Sequence, residues 1–163
     1  MPGINSGLDA LFNPRSVAVI GASKSLNKIG AMTLLSIIGG GFKGEIYPIN
    51  PEEEQILGLK AYSSLKKVPN NVDLAIICVS AALVPQVIKE CTEVGVKFGV
   101  VISSGFGEVS EEGKKLERRV VEIARKGRMR IVGPNCMGMI SSGVSFYALI
   151  NMLIPKAGNV SVV

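Results

Sequence analysis

Val17-Ala18-Val19-Ile20 is a run of four apolar residues without a polar break, and it stops at Gly21. A strand with no polar positions has no solvent face. It belongs inside a sheet that is covered on both sides, the setting of parallel strands flanked by helices. A short loop, Ala22-Ser23-Lys24, follows, and a helical pattern opens near Lys28 and stops at Gly39-Gly40-Gly41. Strand, tight turn and helix in that order leave unpaired N–H groups at the helix start, beside the strand end, where an anion can sit.

The same signal recurs along the chain. Strands are expected over 16–21, 45–49, 74–79, 98–102 and 130–132, and Leu74-Ala75-Ile76-Ile77-Cys78-Val79 is the clearest of them. Pro48 cannot donate to a ladder, so the second strand is expected near an edge. The first helix is expected to turn Ile29, Met32, Leu35 and Ile38 inward. The next carries Leu83, Val84, Val87, Ile88, Cys91 and Val94 at helical spacing. A further helix starts at Ser110, an N-cap with Glu111 and Glu112 behind it, and its inner stripe is Leu116, Val120, Ile123 and Ala124.

Smaller features complete the pattern. Leu8, Leu11 and Phe12 suit a docked helical turn ended by Pro14. Residues 57–62 read as a loop or short extended piece, 63–68 as at most a short helix, and 139–146 as an added strand or hairpin. Strands alternating with helices give an α/β fold, a Rossmann-like, doubly wound, mostly parallel sheet with helices on both faces. Residues 1–152 are expected to form this domain. Residues 153–163 are expected to be a linker and the first strand, Gly158 to Val163, of a following domain.

Composition narrows the function. The chain has no histidine, so chemistry routed through one must come from another chain or domain. Three cysteines without CxxC spacing and no signal peptide favour a reducing, cytoplasmic setting. No apolar run reaches membrane-spanning length. The net charge is +5, and the densest basic group, Lys114-Lys115 with Arg118-Arg119, is interleaved with Glu111, Glu112, Glu117 and Glu122. That is a solvated helix face rather than a nucleic-acid patch.

In a doubly wound sheet ligands bind beyond the carboxyl ends of the strands. The five strand-end loops are Gly21-Ala22-Ser23, Asn50-Pro51, Val79-Ser80-Ala81, Ser103-Ser104-Gly105-Phe106 and Gly133-Pro134-Asn135-Cys136. They hold no acid–base pair, metal cluster or activated nucleophile, so the mouth reads as a binding site of backbone groups and short polar side chains, with no catalytic residue. Gly21 permits close backbone approach to a phosphate and Ser23 adds a hydroxyl; a plain turn is the bland alternative. Gly30 serves either tight helix–strand packing or a ligand. Asn50 stands where a nicotinamide dinucleotide site has Asp or Glu, and the first loop lacks GxGxxG, which counts against NAD. Asn50-Pro51 suits an adenosine ribose or simply starts a turn. Ser80 either caps a helix or meets a ligand. The 103–106 loop offers hydroxyls and exposed amides, and Asn135 can donate and accept at once. Cys136 has no histidine to activate it and reads as inert, and Met137 and Met139 read as packing.

Five stretches together resemble the coenzyme A-binding domain of the ADP-forming acyl-CoA synthetases, the group related to succinyl-CoA synthetase alpha subunits. They are SVAVIGAS with Ile29-Gly30, FKGEIYPINP at 42–51, PNNVDLAIICV at 69–79, ISSGFGE at 102–108 and GPNCMG at 133–138. The resemblance implies that Gly21, Ala22, Ser23, Lys28 and Gly30 hold the CoA diphosphate. It puts Asn50 and Pro51 by the adenosine, and Val79 and Ser80 beside the adenine and pantetheine. It has Ser103, Ser104 and Gly105 lead the arm to a thiol end near Asn135. It implies a succinyl-CoA-ligase-like domain and an ATP-grasp domain or subunit as partners, and a phosphorylated histidine outside this chain. Glu52-Glu53-Glu54 stand where the family often has a base for the 3′-phosphate, which leaves Lys24, Lys28 or Lys43 to supply the charge. Ser80 stands where the family often has proline. A stand-alone CoA-responsive protein and an NAD(H)-binding domain are the alternative readings.

Overall fold

The computed structural model describes residues 7–151 and 153–158. Its elements in chain order are α1 (Asp9–Phe12), β1 (Ser16–Ile20), α2 (Ile29–Gly39), β2 (Glu45–Ile49), β3 (Gln55–Ile56), β4 (Leu59–Lys60), β5 (Leu74–Ile77), α3 (Val84–Glu93), β6 (Phe98–Val101), α4 (Glu111–Lys126), β7 (Arg130–Val132), β8 (Gly138–Ser141) and β9 (Phe146–Leu149). Single 3-10 turns cover Leu65–Lys67, Ala81–Leu83 and Ser142–Val144.

β2, β1, β5, β6 and β7 lie side by side in that order, all parallel. The chain winds outward from β1 to β2 and then crosses back to β5 on the other flank. The strand order therefore reverses between β1 and β5. β2 is an edge strand, as Pro48 requires.

Side-chain alternation sorts the core into two layers. Val17, Val19, Leu74, Ile76 and Val100 face a cluster closed by Leu34 and Ile37 of α2, Leu11 of α1, and Phe146 and Ala148 of β9. Ala18, Ile20, Ala75, Ile77 and Val101 face the cluster closed by Val84 and Ile88 of α3 and Val120 and Ala124 of α4. All five residues of β1 are buried, which is what an unbroken apolar run demands. Burying one such Ile or Val is worth roughly 1.5–3 kcal/mol.

The peripheral elements refine the sequence reading. The 57–62 stretch holds part of the antiparallel β3–β4 hairpin, and 139–146 lies within the β8–β9 hairpin that caps the α2 layer. Phe12 is 48% exposed, so α1 docks through Leu11 with Leu8 beside it. The expected strand from Gly158 onward runs outside the described residues.

One correction concerns α2. Its buried residues are Gly30, Ala31, Thr33, Leu34, Ser36 and Ile37, while Ile29 and Ile38 are 41% and 38% exposed. The helix is apolar nearly all round, so periodicity alone selects no face. The choice comes from Gly30. A Cβ there would lie 2.7 Å from the Gly21 carbonyl carbon, and closer still to its oxygen. Only glycine lets the helix start rest on the β1 loop, and that contact sets the rotation of everything after it.

Candidate functional site

All five expected loops meet along the carboxyl edge of the sheet, stitched into one row by hydrogen bonds. Asn50 Nδ2 donates to the Ala22 carbonyl at 2.8 Å, and the Gly21 N–H donates to Ile49 at 3.1 Å. The Cys78 N–H donates to Ile20 at 2.8 Å. Ser103 Oγ donates to the Val79 carbonyl at 2.6 Å, and the Asn135 N–H donates to the Ser103 carbonyl at 2.9 Å. Five strands at about 4.8 Å spacing make this rim roughly 19 Å long. It suits an elongated ligand.

At the strand-order reversal the loop after β1 stands beside the loop after β5. Gly21 has φ +87°, and a Cβ there would lie 2.9 Å from the Cys78 carbonyl oxygen and 3.0 Å from Val79 Cγ1. A side chain at residue 21 would wedge the two loops apart. Ala22 and Ser23 are buried, and Ser23 Oγ accepts from the Ser25 N–H at 3.1 Å. Ser23 therefore shapes the loop as well as lining it.

The ends of the helices reveal which loops are open to an anion. α2 starts behind Lys28, which gives no capping hydrogen bond, and its first turn has no acidic residue. The 3-10 turn leading into α3 starts behind Ser80, whose hydroxyl likewise makes no capping bond. α4 is different. Ser110 Oγ accepts from the Gly113 N–H at 3.1 Å, and Glu111 and Glu112 lie in its first turn. The chain satisfies the positive end of α4 itself and leaves uncapped the two starts that flank the reversal point.

The 103–106 loop needs a second correction. Two of its amides are already occupied. Gly105 N–H donates to Glu108 Oε1 at 2.6 Å, and Phe106 N–H donates to Oε2 at 3.1 Å. Gly107 N–H donates to Glu117 Oε2 at 3.2 Å. The N–H groups of Gly105, of Glu108 itself and of Phe106 lower the Glu108 carboxyl from its ordinary value, the Gly105 N–H contributing most. Glu108 lies beyond the strand-end loops in sequence and reaches the site only by folding back onto the 103–106 loop.

The remaining expected residues divide by role. Asn50 Oδ1 accepts from the Glu52 N–H at 2.8 Å, so the Asn50 amide both starts the turn and braces the β1 loop. Pro51, Ser80, Ser104 and Asn135 are exposed on the rim, and Val79 and Gly105 are half-buried there. Asn135 takes φ +54°, which Asn tolerates better than most residues. Gly30 is buried beneath the Gly21 carbonyl.

Of the three candidate lysines, Lys24 pairs with Glu53, and Lys28 is exposed and makes no ion pair among the described residues. Lys43 precedes β2 and shares a shallow surface hollow with Arg15 and Glu45, at the amino end of the sheet. It is at the wrong end of the strands for this site. Met137 is 58% exposed instead of packed, whereas Met139 packs on the α2-side core. Burial raises the Cys136 thiol and pushes Cys78 and Cys91 up to about 12. No group of three or more His, Cys, Asp or Glu among the described residues is arranged to hold a metal, and no helix there is long and apolar enough to cross a membrane.

These features fit coenzyme A. Uncapped helix starts with Lys28 between strand ends suit its diphosphate, and a long rim of small polar residues suits an extended arm.

Comparison with known proteins points the same way. The profile described as CoA binding domain matches residues 15–142. The alpha subunit of ADP-forming acetate–CoA ligase I of Pyrococcus furiosus is 52% identical over 137 residues, 82% of this chain and 30% of that protein. ADP-forming acetate–CoA ligase II of Archaeoglobus fulgidus is 44% identical over 154 residues, 94% of this chain and 23% of that protein. A solved structure of Ca. Korarchaeum cryptofilum dinucleotide forming acetyl-coenzyme A synthetase 1, in complex with phosphate and ADP, superposes with a TM-score of 0.84 at 43% identity, covering 88% of this chain and 30% of that one. The chain thus spans about a quarter to a third of the length of these relatives. With a matching profile over most of its length, this chain belongs to the CoA binding domain family.

Proposed function

We propose that this chain is the coenzyme A-binding module of an ADP-forming acyl-CoA ligase, which interconverts acid, CoA and ATP with acyl-CoA, ADP and phosphate. The observation that carries the reading is the contrast between helix starts: those of α2 and of the 3-10 turn behind Ser80 lack a side-chain cap where strand order reverses, and that of α4 is filled by the chain's own groups. In this reading the Gly21-Ala22-Ser23 loop, Lys28 and the start of α2 at Gly30 hold the diphosphate. Asn50 and Pro51 border the adenosine, and Val79 and Ser80 border the adenine and the start of the pantetheine. Ser103, Ser104 and Gly105 guide the arm toward Asn135.

The acid-activating chemistry belongs elsewhere. The chain has no histidine to carry a phosphoryl group, so it binds the acceptor thiol cofactor and presents it to a succinyl-CoA-ligase-like domain and an ATP-grasp domain or subunit. Residues 1–152 form the module and 153–163 lead to the next domain. We place the enzyme in the cytoplasm, where thiols stay reduced.

Calorimetric titration of the 163-residue chain with CoA, 3′-dephospho-CoA and NAD(H) tests the assignment. CoA is expected to bind and NAD(H) to give no heat. Weaker binding of the dephospho form would identify a basic reader of the 3′-phosphate. Gly21→Val is expected to abolish binding, because residue 21 has no room beside the Cys78 carbonyl oxygen and Val79. Unchanged CoA affinity in that variant would move the site off this loop.

A further inference from the structure

Glu108 sits outside every loop assigned to the ligand, yet it is the most heavily engaged acid near the site. Its two oxygens take the N–H groups of Gly105 and Phe106, at 2.6 and 3.1 Å. Both partners belong to the segment that turns the chain away from β6. Gly105 has φ +102°, and a Cβ added there would lie 3.3 Å from Ala81 Cβ. The segment therefore leans on the loop after β5. On its other side Phe106 is fully buried in the α3–α4 layer. Gly113 is pressed against it, since a Cβ at Gly113 would meet the Phe106 carbonyl carbon at 2.5 Å.

Three anchors thus hold this short loop. Ser103 Oγ ties its start to the Val79 carbonyl, Phe106 is sunk in the core, and Glu117 takes the Gly107 N–H at 3.2 Å. Between the first two anchors lie Ser104 and Gly105. Ser104 is exposed on the rim with no hydrogen bond among the described residues, and Glu108 is what fixes the peptide units beside it. Without that carboxylate, the Gly105 and Phe106 amides would be free to turn, and Gly105 has the conformational freedom to let them.

We propose that Glu108 is a positioning residue that fixes the β6 loop against the β5 loop, along which the linear arm of the ligand runs, and that it leaves the nucleotide end untouched. This rests on the reading above, in which the arm runs from Val79 and Ser80 past Ser104. The logic is preorganisation: a loop held in its binding shape beforehand is not ordered at the expense of affinity. The nucleotide end is bordered mainly by the loops after β1 and β2, braced by Asn50, and reaches the β5 loop only at Val79 and Ser80, where the arm begins; the backbone amides that Glu108 holds, Gly105 and Phe106, belong to none of these loops.

The test compares CoA with adenosine 3′,5′-bisphosphate, which carries the nucleotide end without the arm. Both are titrated into the wild type, Glu108→Ala and Glu108→Gln, with thermal unfolding checking that each variant is folded. Glu108→Ala is expected to weaken CoA about tenfold, the cost of re-ordering one or two loop residues on binding, while changing the bisphosphate less than about twofold. Glu108→Gln keeps one acceptor oxygen and is expected to recover part of the loss; it also serves if the alanine variant does not fold. Wild-type CoA affinity in both variants overturns the proposal. Equal weakening of CoA and bisphosphate also overturns it, since that marks a general loss of structure. A wild type that binds neither compound refutes the ligand assignment itself, a different result from a variant that binds both normally.

Discussion

Replacing Gly30 and Ser36 by alanine, one at a time, should move stability in opposite directions although both changes put the same good helix former into α2. At an exposed helical site Gly→Ala gains about 1 kcal/mol. At Gly30 the new methyl would lie 2.7 Å from the Gly21 carbonyl carbon and 3.1 Å from Ala22 Cα, against a comfortable separation of about 3.5–4.0 Å. The obstacle is backbone, so no side chain can rotate away. The Gly21 carbonyl oxygen is nearer still, so either α2 backs off by more than an ångström, loosening Leu34 and Ile37 in the core, or the β1 loop moves. Overpacking of this kind costs about 1–3 kcal/mol, with the displaced core contacts adding to it. The net effect should be a loss of about 1–2 kcal/mol. Ser36 is the reverse case. It is fully buried and its hydroxyl has no hydrogen-bond partner among the described residues. Removing an unpaired buried hydroxyl returns part of a penalty of about 1–3 kcal/mol, so Ser36→Ala should gain about 1 kcal/mol. Urea unfolding followed by circular dichroism would read both. In a chain of this size each kcal/mol also shifts Tm by about 2–4 °C. Gly30→Ala as stable as the wild type would refute the claim that this contact sets the rotation of α2.

Leu57 and Gly58 form the two-residue turn of the β3–β4 hairpin, with φ +50° and +81°. Leucine is strained there, so Leu57→Asn should raise stability by about 1 kcal/mol in the same unfolding assay. Glu93 is held below its ordinary 4.5 by its hydrogen bond and ion pair with Lys66, as Glu108 is by backbone N–H groups. A lowered folded pKa gives stability that is present above the ordinary carboxylate value and lost as pH falls through the folded one. Lys66 is raised above 10.5 by the same pair, so its share is complete below that value and lost as pH rises past the folded one. NMR titration should find both carboxyls below 4.5, and Lys66→Ala should return Glu93 alone toward it. Cys91, fully buried and its thiol pushed up to about 12, should resist thiol reagents at pH 8 until the protein unfolds, and its fast labelling in the folded state would contradict that burial.

Much of this molecule follows from local pattern. An unbroken apolar run such as Val17 to Ile20 has to be buried on both faces, and three such runs, in β1, β5 and β6, with two further strand signals and helical spacing between them, leave little besides a parallel sheet between helix layers. Pro48 marked the edge strand and Ser110 the start of α4, because a missing N–H and an accepting hydroxyl act within their own segment. The loops that line the rim were legible for the same reason: they directly follow the strands. Tertiary structure decided what depends on distances between segments. The face of α2 turned on one approach of Gly30 to Gly21, since its apolar residues fit any rotation. Lys43 lies at the amino end of the sheet because it precedes a strand whose direction is set by pairing with β1. Glu108 closes over amides that, as sequence, read as open to a ligand. Periodicity records whether a residue is buried, but which atom fills a given amide or gap is settled only when the chain has brought distant backbone within reach.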